Sequence, residues 1–544
     1  MPETSTRNLK LALLLLLPLF AGLVSWLSPL SFAPVPWPDD SAFYFAAHEL
    51  FKWPPRWVML AQAPFEPSYE IFNFNTMPLY PVLIGIGQWV GINGSQGLKF
   101  WPLLFWALSG ALLGVTLFRK RLSWSLALLV TALIAFDPIL RWASVLVRPE
   151  SFIGLLGVVL ILGISFGFPR SLRPRAFFDP IALLLALAAY AHFNAIHLVL
   201  PVTAAIVMRE RSPFPTLIKI GSKTLLYLSP WLLTVLFQLP LFIHQMTVQW
   251  TRLSGGNGWL RAPVHAIGSL IRDIGNPEPW PAILRWGSAG IWLLIFTALV
   301  TGFIQPLYRR IMSHGSAFSP ASPTQTALAA SGAWVVSSCW LWDSKPEVWF
   351  IYYIHLAVLT FAGILLLQPK TRMRPILVSL LIAIFGIFAI TNLTEAVHLG
   401  KAQSWNWKTY ASYVDCIDRW LVKTETELGN PKPFRVWAPT PPDVLIELSI
   451  RHPDWELTRT NDFVERYERG LNYARLADAV VITETIHWED RDADGLLTNY
   501  PGVESHWLHA PDYFLNRLAA DPSWKPDHRY LCQKARWQAF LYRR

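Results

Sequence analysis

Charge is scarce in this sequence: Asp, Glu, Lys and Arg make up 15% of its 544 residues, where a soluble domain carries roughly a quarter. A water-soluble enzyme is therefore excluded. Cysteine is scarcer still, with only Cys339, Cys416 and Cys532 and no CxxC pair. That removes a disulfide-stapled scaffold and a zinc module of the usual spacing. No repeat of 20 to 50 residues and no inverted pair of broken helices stands out, which argues against an inverted-repeat transporter. Gly255-Gly256-Asn257-Gly258 lacks the Gly-Lys-Ser/Thr ending of a phosphate-binding loop and reads instead as a flexible loop element.

What is abundant is apolar surface. Hydrophobic residues reach 53%, with 28 Trp, and mean hydropathy is +0.34. Uninterrupted apolar runs such as LALLLLLPLF and FIGLLGVVLILGISF point to membrane spans, which take about 20 apolar residues at 1.5 Å each to cross the hydrocarbon of a bilayer. The fold class expected is therefore an α-helical polytopic membrane protein. The excess of 46 basic over 36 acidic residues sits in short clusters at the ends of apolar segments. It reads as topogenic charge at a membrane surface, and no nucleic-acid partner is expected.

The clusters are Arg119-Lys120-Arg121; Arg170, Arg173 and Arg175; Arg209, Arg211, Lys219 and Lys223; Arg309 and Arg310; and Lys370, Arg372 and Arg374. Placing all of them in the cytoplasm gives about eleven spans, the N-terminus inside and the C-terminus outside. The first run, Leu9 to Leu30, is read as an uncleaved span and not as a signal peptide. Outside lie Ser31 to about Lys99, His244 to about Arg285, and everything after about Thr391. A cell membrane is the expected location, most naturally a bacterial inner membrane. Ile181 to Met208 is short for two crossings, so two shortened helices are expected to meet at Ala191-His192-Phe193-Asn194 near the outer face. Most spans read as nearly free of ionisable residues, a second point against transport.

After Thr391 the composition turns polar. The chain is divided on that basis into a membrane part, 1–391, and an extracytoplasmic α/β domain, 392–544. Strands are predicted at Phe434 to Ala438, Asp478 to Thr483 and Gln538 to Tyr542, and helices at Pro442 to Ile450 and Asp462 to Tyr473. Cys416 and Cys532 both fall in this domain, bridged or unpaired.

The first outer loop opens with PWPDDSAFYFAAHELF. Phe43, Ala47, Leu50 and Phe51 share a helical face, predicting an amphipathic helix on the membrane surface that begins at Asp39 and Asp40. Acids at that position also cap free amides, so capping alone accounts for them equally well. Arg148 and Glu150 stand at the outer end of a span, where charged groups also snorkel to the headgroups. His192 and His197 are five apart, a poor spacing for two metal ligands on one helix. The acidic residues of the C-terminal domain, Asp443, Glu447, Asp454 and Glu456, read as solvated charge.

WPDDSAFYFAAHEL, MPLYPVLIGI, the Arg-Pro-Glu of a later span, the His-containing short-helix pair and WFIYYIHLAVLTFAGI together resemble the GT-C glycosyltransferases of family 39. That group includes protein O-mannosyltransferases and bacterial aminoarabinose and related lipid-linked sugar transferases. The resemblance covers residues 1 to about 391. It implies a GT-C-like bundle, surface helices in the first outer loop and a polyprenyl-phosphate sugar as donor. Asp-Asp stands here where the family commonly has Asp-Glu, and Asp39 matches the first, catalytic acid. Bacterial members similar to the aminoarabinose transferases often carry a Lys just before a Pro-Pro-Leu-Tyr stretch. Thr76-Met77 stands here instead, which makes Arg148 the candidate for the donor phosphate. Glu150, His192, Tyr80 and Tyr353 are the further donor- or substrate-binding candidates, with Asp40 beside Asp39.

The chemistry implied is inverting transfer of a sugar from the lipid phosphate to an acceptor hydroxyl outside the membrane, the acceptor being a lipid, a glycan or a protein. One carboxylate takes the acceptor's proton and a guanidinium meets the charge that grows on the leaving phosphate. A retaining mechanism would need two carboxyls about 5 Å apart. No organic cofactor is expected; a divalent metal held by Asp39, Asp40, Glu150 and His192 stays open. The competing readings are a lipid-linked glycan polymerase or ligase and a lipid-linked sugar transporter.

Overall fold

The structure is a computed structural model. It describes residues 2–32, 36, 38–51, 53, 77–168, 178–243, 246, 290, 291, 293–306, 308, 320–344, 348–368, 374–401, 406–440, 443–458, 474–485, 506–526, 532–534 and 537–543. The helix predicted at Asp462 to Tyr473, the loop from His244 to Arg285 (apart from residue 246) with its glycine run, and Thr76 lie outside the described residues.

Apolar sequence becomes helix throughout the first part. The elements are α1 (Pro2–Leu27), α2 (Pro38–Leu50), α3 (Leu79–Trp89), α4 (Gly94–Leu98), α5 (Phe100–Arg119), α6 (Trp124–Phe136), α7 (Pro138–Val145) and α8 (Glu150–Phe166). They continue as α9 (Pro180–Ala191), α10 (Val199–Arg209), α11 (Pro213–Tyr227), α12 (Ser229–Phe237), α13 (Pro323–Ser344), α14 (Val348–Leu365) and α15 (Arg374–Lys401). Short 3-10 turns at Pro29–Phe32 and Phe193–Leu198 precede α2 and α10. The predicted pair of short helices meeting at His192 is α9 and α10 with the second of these turns between them.

Among the described residues, three stretches are long and apolar enough to cross a membrane: Ser5–Leu27, Gly94–Arg119 and Arg374–Thr394. Two more candidates are bent pairs, α6 with α7 at 46° and α11 with α12 at 61°. The remaining apolar helices, α8, α9, the 193–209 pair, Leu293–Ile304 and 350–365, are shorter. These shorter helices are largely buried among their neighbours and need not match the bilayer alone. Leu16 and Phe20 of α1, Leu225 and Leu226 of α11, Phe237 of α12 and Ile382 of α15 are exposed, as lipid-facing side chains are. Close packing needs small residues: a Cβ on Gly114 of α5 would meet Oγ1 of Thr131 in α6.

The bend between α6 and α7 has a local cause. Pro138 supplies no amide for α6 to continue, and Oδ1 of Asp137 accepts from the amides of Ile139 (2.9 Å) and Leu140 (3.1 Å). Oδ2 of Asp137 sits 2.7 Å from Nδ1 of His355 in α14. Nearby, Nε of buried Arg141 donates to Oδ1 of Asn392 and its Nη1 to the carbonyl of Leu30. Most spans read from the sequence as nearly free of ionisable groups, yet three such residues lie buried in this part of the bundle, Asp137 with His355 and Arg141 with Asn392 and the Leu30 carbonyl. They persist because each is paired or hydrogen-bonded.

α15 runs unbroken past residue 391 to Lys401. It is followed by α16 (Trp407–Glu427), β1 (Arg435–Trp437), α17 (Leu445–Arg451), β2 (Glu456–Thr458), β3 (Ala479–Thr485), α18 (His506–Ala520), β4 (Lys525–Pro526), β5 (Cys532–Lys534) and β6 (Trp537–Arg543). The sheet order is β2-β1-β3-β6-β4, with β5 also on β6; β1 pairs parallel with β2 and β3, and β6 runs antiparallel to β3. The three predicted strands are β1, β3 and β6, and the first predicted helix is α17. Cys416 of α16 and Cys532 of β5 form a disulfide across 116 residues.

The surface-helix expectation for α2 is overturned. Phe43 and Ala47 are buried, but so are Ala42, Tyr44, Phe45 and Ala46. The face expected to meet water is covered by the C-terminal domain, where the Tyr44 hydroxyl meets Ser449 and faces Glu447. One apolar core joins Phe43, Tyr44, Tyr80 and Val147 to Tyr410, Trp420, Val436 and Trp537. α2 is a wedge between bundle and sheet domain.

Candidate active site

Asp39 and Asp40 are the second and third residues of α2. The side chain of Asp39 lies outside the described residues. Asp40 is almost wholly buried, and its Oδ1 accepts from the amide of Val147 at 3.2 Å. That amide lies in the bent connection between α7 and α8, one residue before Arg148.

Arg148 and Glu150 pair with each other. Nε of Arg148 lies 3.3 Å from both carboxylate oxygens of Glu150, and Nη2 lies 3.2 Å from Oε1. Glu150 opens α8, where the helix dipole favours an anion. Its side chain is 1% exposed and that of Arg148 is 12% exposed, so the pair is desolvated and the guanidinium keeps only a small opening. The snorkelling alternative does not describe these two residues: both face into the protein.

Tyr80, in α3, is wholly buried. Burial pushes its phenol well above the ordinary value, the carboxylates of Glu150 and Asp40 push the same way, and Arg148 opposes them. Tyr353 of α14 is equally buried and stands in the field of Glu150 and Arg148. The structure thus gathers Asp40, Tyr80, Arg148, Glu150 and Tyr353 at the end of the bundle that carries the sheet domain. Neither phenol hydroxyl has a hydrogen-bond partner among the described residues, an arrangement that a bound polar ligand would satisfy.

His192 has a local role: its Nδ1 accepts from the amide of Asn194 at 3.1 Å and caps the 3-10 turn. The histidine against Tyr353 is His197, ring centroids 4.3 Å apart. Its Nδ1 bonds to the carbonyl of Asn194, and its Nε2 has no partner among the described residues. Among the described residues no three His, Cys, Asp or Glu side chains come together as a metal-ligand set. Of the four ligands considered from the sequence, Asp40, Glu150 and His192 are engaged with Val147, Arg148 and Asn194.

Two further residues escaped the sequence reading. Lys99, just before α5, is 0% exposed, and its Nζ donates 2.8 Å to the carbonyl of Ser31. The signal for it was present: a lone lysine opens the helix whose far end carries Arg119, Lys120 and Arg121. Glu447, read as solvated charge, accepts from the amide of Ser95 at 2.8 Å and ties α17 to α4.

No protein-family model matches the chain, and no curated protein matches it. A search of solved structures finds the crystal structure of ArnT from Cupriavidus metallidurans bound to undecaprenyl phosphate, with a TM-score of 0.56 and 12% sequence identity over 97% of each chain. At that identity the likeness is one of fold, and it spans both the bundle and the C-terminal domain: the chain has the GT-C-like polytopic architecture.

Proposed function

We propose that the protein is a membrane glycosyltransferase that moves a sugar from a polyprenyl phosphate to an acceptor hydroxyl at the extracytoplasmic surface, with inversion at the anomeric carbon. The observation that carries the reading is the convergence of Asp40, Tyr80, Arg148, Glu150 and Tyr353 at one end of a bundle whose fold is shared with a protein that binds undecaprenyl phosphate.

In this reading the acceptor oxygen attacks the anomeric carbon while the bond from that carbon to the phosphate oxygen breaks. The electron pair stays on the phosphate, and the acceptor proton passes to a carboxylate. Asp39, matched by resemblance to the family's first acid, is that base; Asp40 is already committed to the Val147 amide. Arg148 meets the growing phosphate charge through the part of its guanidinium left open by Glu150, a charge-assisted contact that strengthens as the bond breaks. Glu150 holds the guanidinium in register. Tyr80 and Tyr353 offer hydroxyls to the sugar. No step is assigned to a metal.

The test is the purified protein in liposomes with polyprenyl-phosphate sugars and an extract of envelope lipids, glycans and proteins as acceptors, with products read by mass spectrometry. A new glycosidic product is expected, with the opposite anomeric configuration to the donor and a rate unchanged by a chelator. Movement of the lipid across the bilayer with no product would replace this reading with transport. Asp39→Asn is expected to lower the rate about 10²- to 10⁴-fold in a protein that still folds.

A further inference from the structure

Two polar groups that touch each other inside the bundle are left unanswered by the fold. Nε2 of His197, on the 3-10 turn before α10, and the hydroxyl of Tyr353, in α14, are buried with no hydrogen-bond partner among the described residues. His197 is 1% exposed and Tyr353 0%, and their ring centroids lie 4.3 Å apart. Burying a polar atom without a partner is costly and uncommon in native proteins. Two such atoms on side chains in contact mark a place where a polar ligand binds.

Packing along α8 fixes where that place lies. A Cβ on Gly154 would meet the ring of Tyr352, and one on Gly157 would meet Leu198, the sequence neighbours of Tyr353 and His197. Gly154 and Gly157 follow Glu150 by four and seven residues in the same helix, roughly 6 to 10 Å along its axis. The histidine and the phenol therefore sit beside α8, one to two turns into the bundle from the Arg148–Glu150 pair. A ligand whose phosphate met Arg148 would carry the group next to that phosphate within their reach.

The ring itself selects the ligand's chemistry. Nδ1 of His197 faces the carbonyl of Asn194, which only accepts, so the ring proton belongs on Nδ1. Among the described residues no carboxylate acts on this ring, and a buried ring without a countercharge is neutral. Its Nε2 then presents a lone pair and no proton. That nitrogen accepts from a hydroxyl and has nothing to donate to a phosphate oxygen.

We propose that His197 and Tyr353 form a sugar subsite, in which Nε2 of His197 accepts from a hydroxyl of the sugar carried by the polyprenyl phosphate. Naming the ligand as the donor's sugar rests on the glycosyltransferase reading; the call for a hydroxyl-bearing ligand at these two groups does not.

The experiment measures equilibrium binding to the full chain in detergent. The probes are undecaprenyl phosphate and its conjugates with glucose, mannose, galactose and arabinose, and the variants are His197→Asn, His197→Gln and Tyr353→Phe. Wild type is expected to hold at least one conjugate more tightly than the bare lipid phosphate. His197→Asn keeps a donor for the Asn194 carbonyl but reaches no further, so it should weaken that conjugate about 3- to 10-fold, the worth of one hydrogen bond. Its affinity for bare undecaprenyl phosphate should stay within about twofold. His197→Gln, whose amide oxygen can stand where Nε2 does, should keep most of the wild-type affinity; a merely structural histidine predicts the reverse order. Tyr353→Phe should weaken the conjugate and, without ligand, unfold at no lower temperature, because its hydroxyl meets no described protein group. Equal losses for conjugate and bare lipid in His197→Asn overturn the subsite, and so does no loss for either, including an effect confined to the KM of the acceptor. A wild type that prefers no conjugate overturns it too, as does a Gln variant as weak as the Asn variant. If His197→Asn does not fold, Tyr353→Phe carries the comparison. A wild type that binds a conjugate through His197 yet forms no glycosidic product sinks the glycosyltransferase reading and keeps the subsite.

Discussion

The amide of Val147 donates to Oδ1 of Asp40 at 3.2 Å, joining the loop helix α2 to the residue next to Arg148. Because the amide is buried, removing its acceptor leaves a donor unsatisfied, at a cost of about 1–3 kcal/mol. Asp40→Ala is expected to lose stability in that range by denaturant unfolding. Asp40→Asn, which keeps an oxygen for Val147, should lose less of this contribution. Equal losses in the two would show that the Val147 contact contributes nothing.

The Arg148–Glu150 pair predicts a different pattern. Removing one member of a buried ion pair typically costs about 3–5 kcal/mol, because the other charge stays behind. Arg148→Met is expected to be more destabilised than the combined variant Arg148→Met/Glu150→Gln. Arg148→Lys keeps the charge but loses the planar fork, so it should fold and still transfer sugar more slowly. A lysine variant with the full rate would remove the guanidinium from the phosphate step.

Asp137 and His355, 2.7 Å apart inside the bundle, lie far in sequence from the acids of α2. Oδ1 of Asp137 caps α7, the helix that leads into Val147 and Arg148. Asp137→Ala is expected to lose the cap, about 0.5–2 kcal/mol, together with the histidine contact. His355→Phe should lose only the latter. A double-mutant cycle in unfolding free energy measures the coupling, and a value near zero would dissolve the pair.

The disulfide between Cys416 and Cys532 closes a loop of 116 residues. A chain-entropy treatment gives about 4–5 kcal/mol for loops of this size, of which measured values often fall short. Cys416→Ser/Cys532→Ser is expected to lower the unfolding temperature and to increase proteolysis between α16 and β5. Wild-type protein treated with reductant should behave in the same way. Unchanged unfolding in both would mean that the bridge adds nothing.

Much of the architecture was legible because burial in lipid and burial in protein both need apolar residues, and the runs that supply them are long. The short helices meeting at His192 and the strands β1, β3 and β6 followed from local pattern alone. α2 did not follow, because Phe43 and Ala47 give it one apolar stripe while the partner of its other face, α17, lies some 400 residues away in the sequence. Periodicity reports that a face is buried and is silent about what buries it. The same limit explains the histidines: residues five apart look alike in sequence, and only packing put His197 against Tyr353.

The sequence by itself determined a helical membrane protein with a polar terminal domain, since scarcity of charge and length of apolar runs are properties of the chain and need no partner. It also singled out Arg148 and Glu150, whose spacing is local. Tertiary structure alone decided that Asp40 would be held by a backbone amide, that Lys99 would be a buried cation, and that the C-terminal domain would share its core with the first loop helix. Those facts depend on which distant segments exclude water from one another, and the energy of a buried charge is set by the groups that close around it.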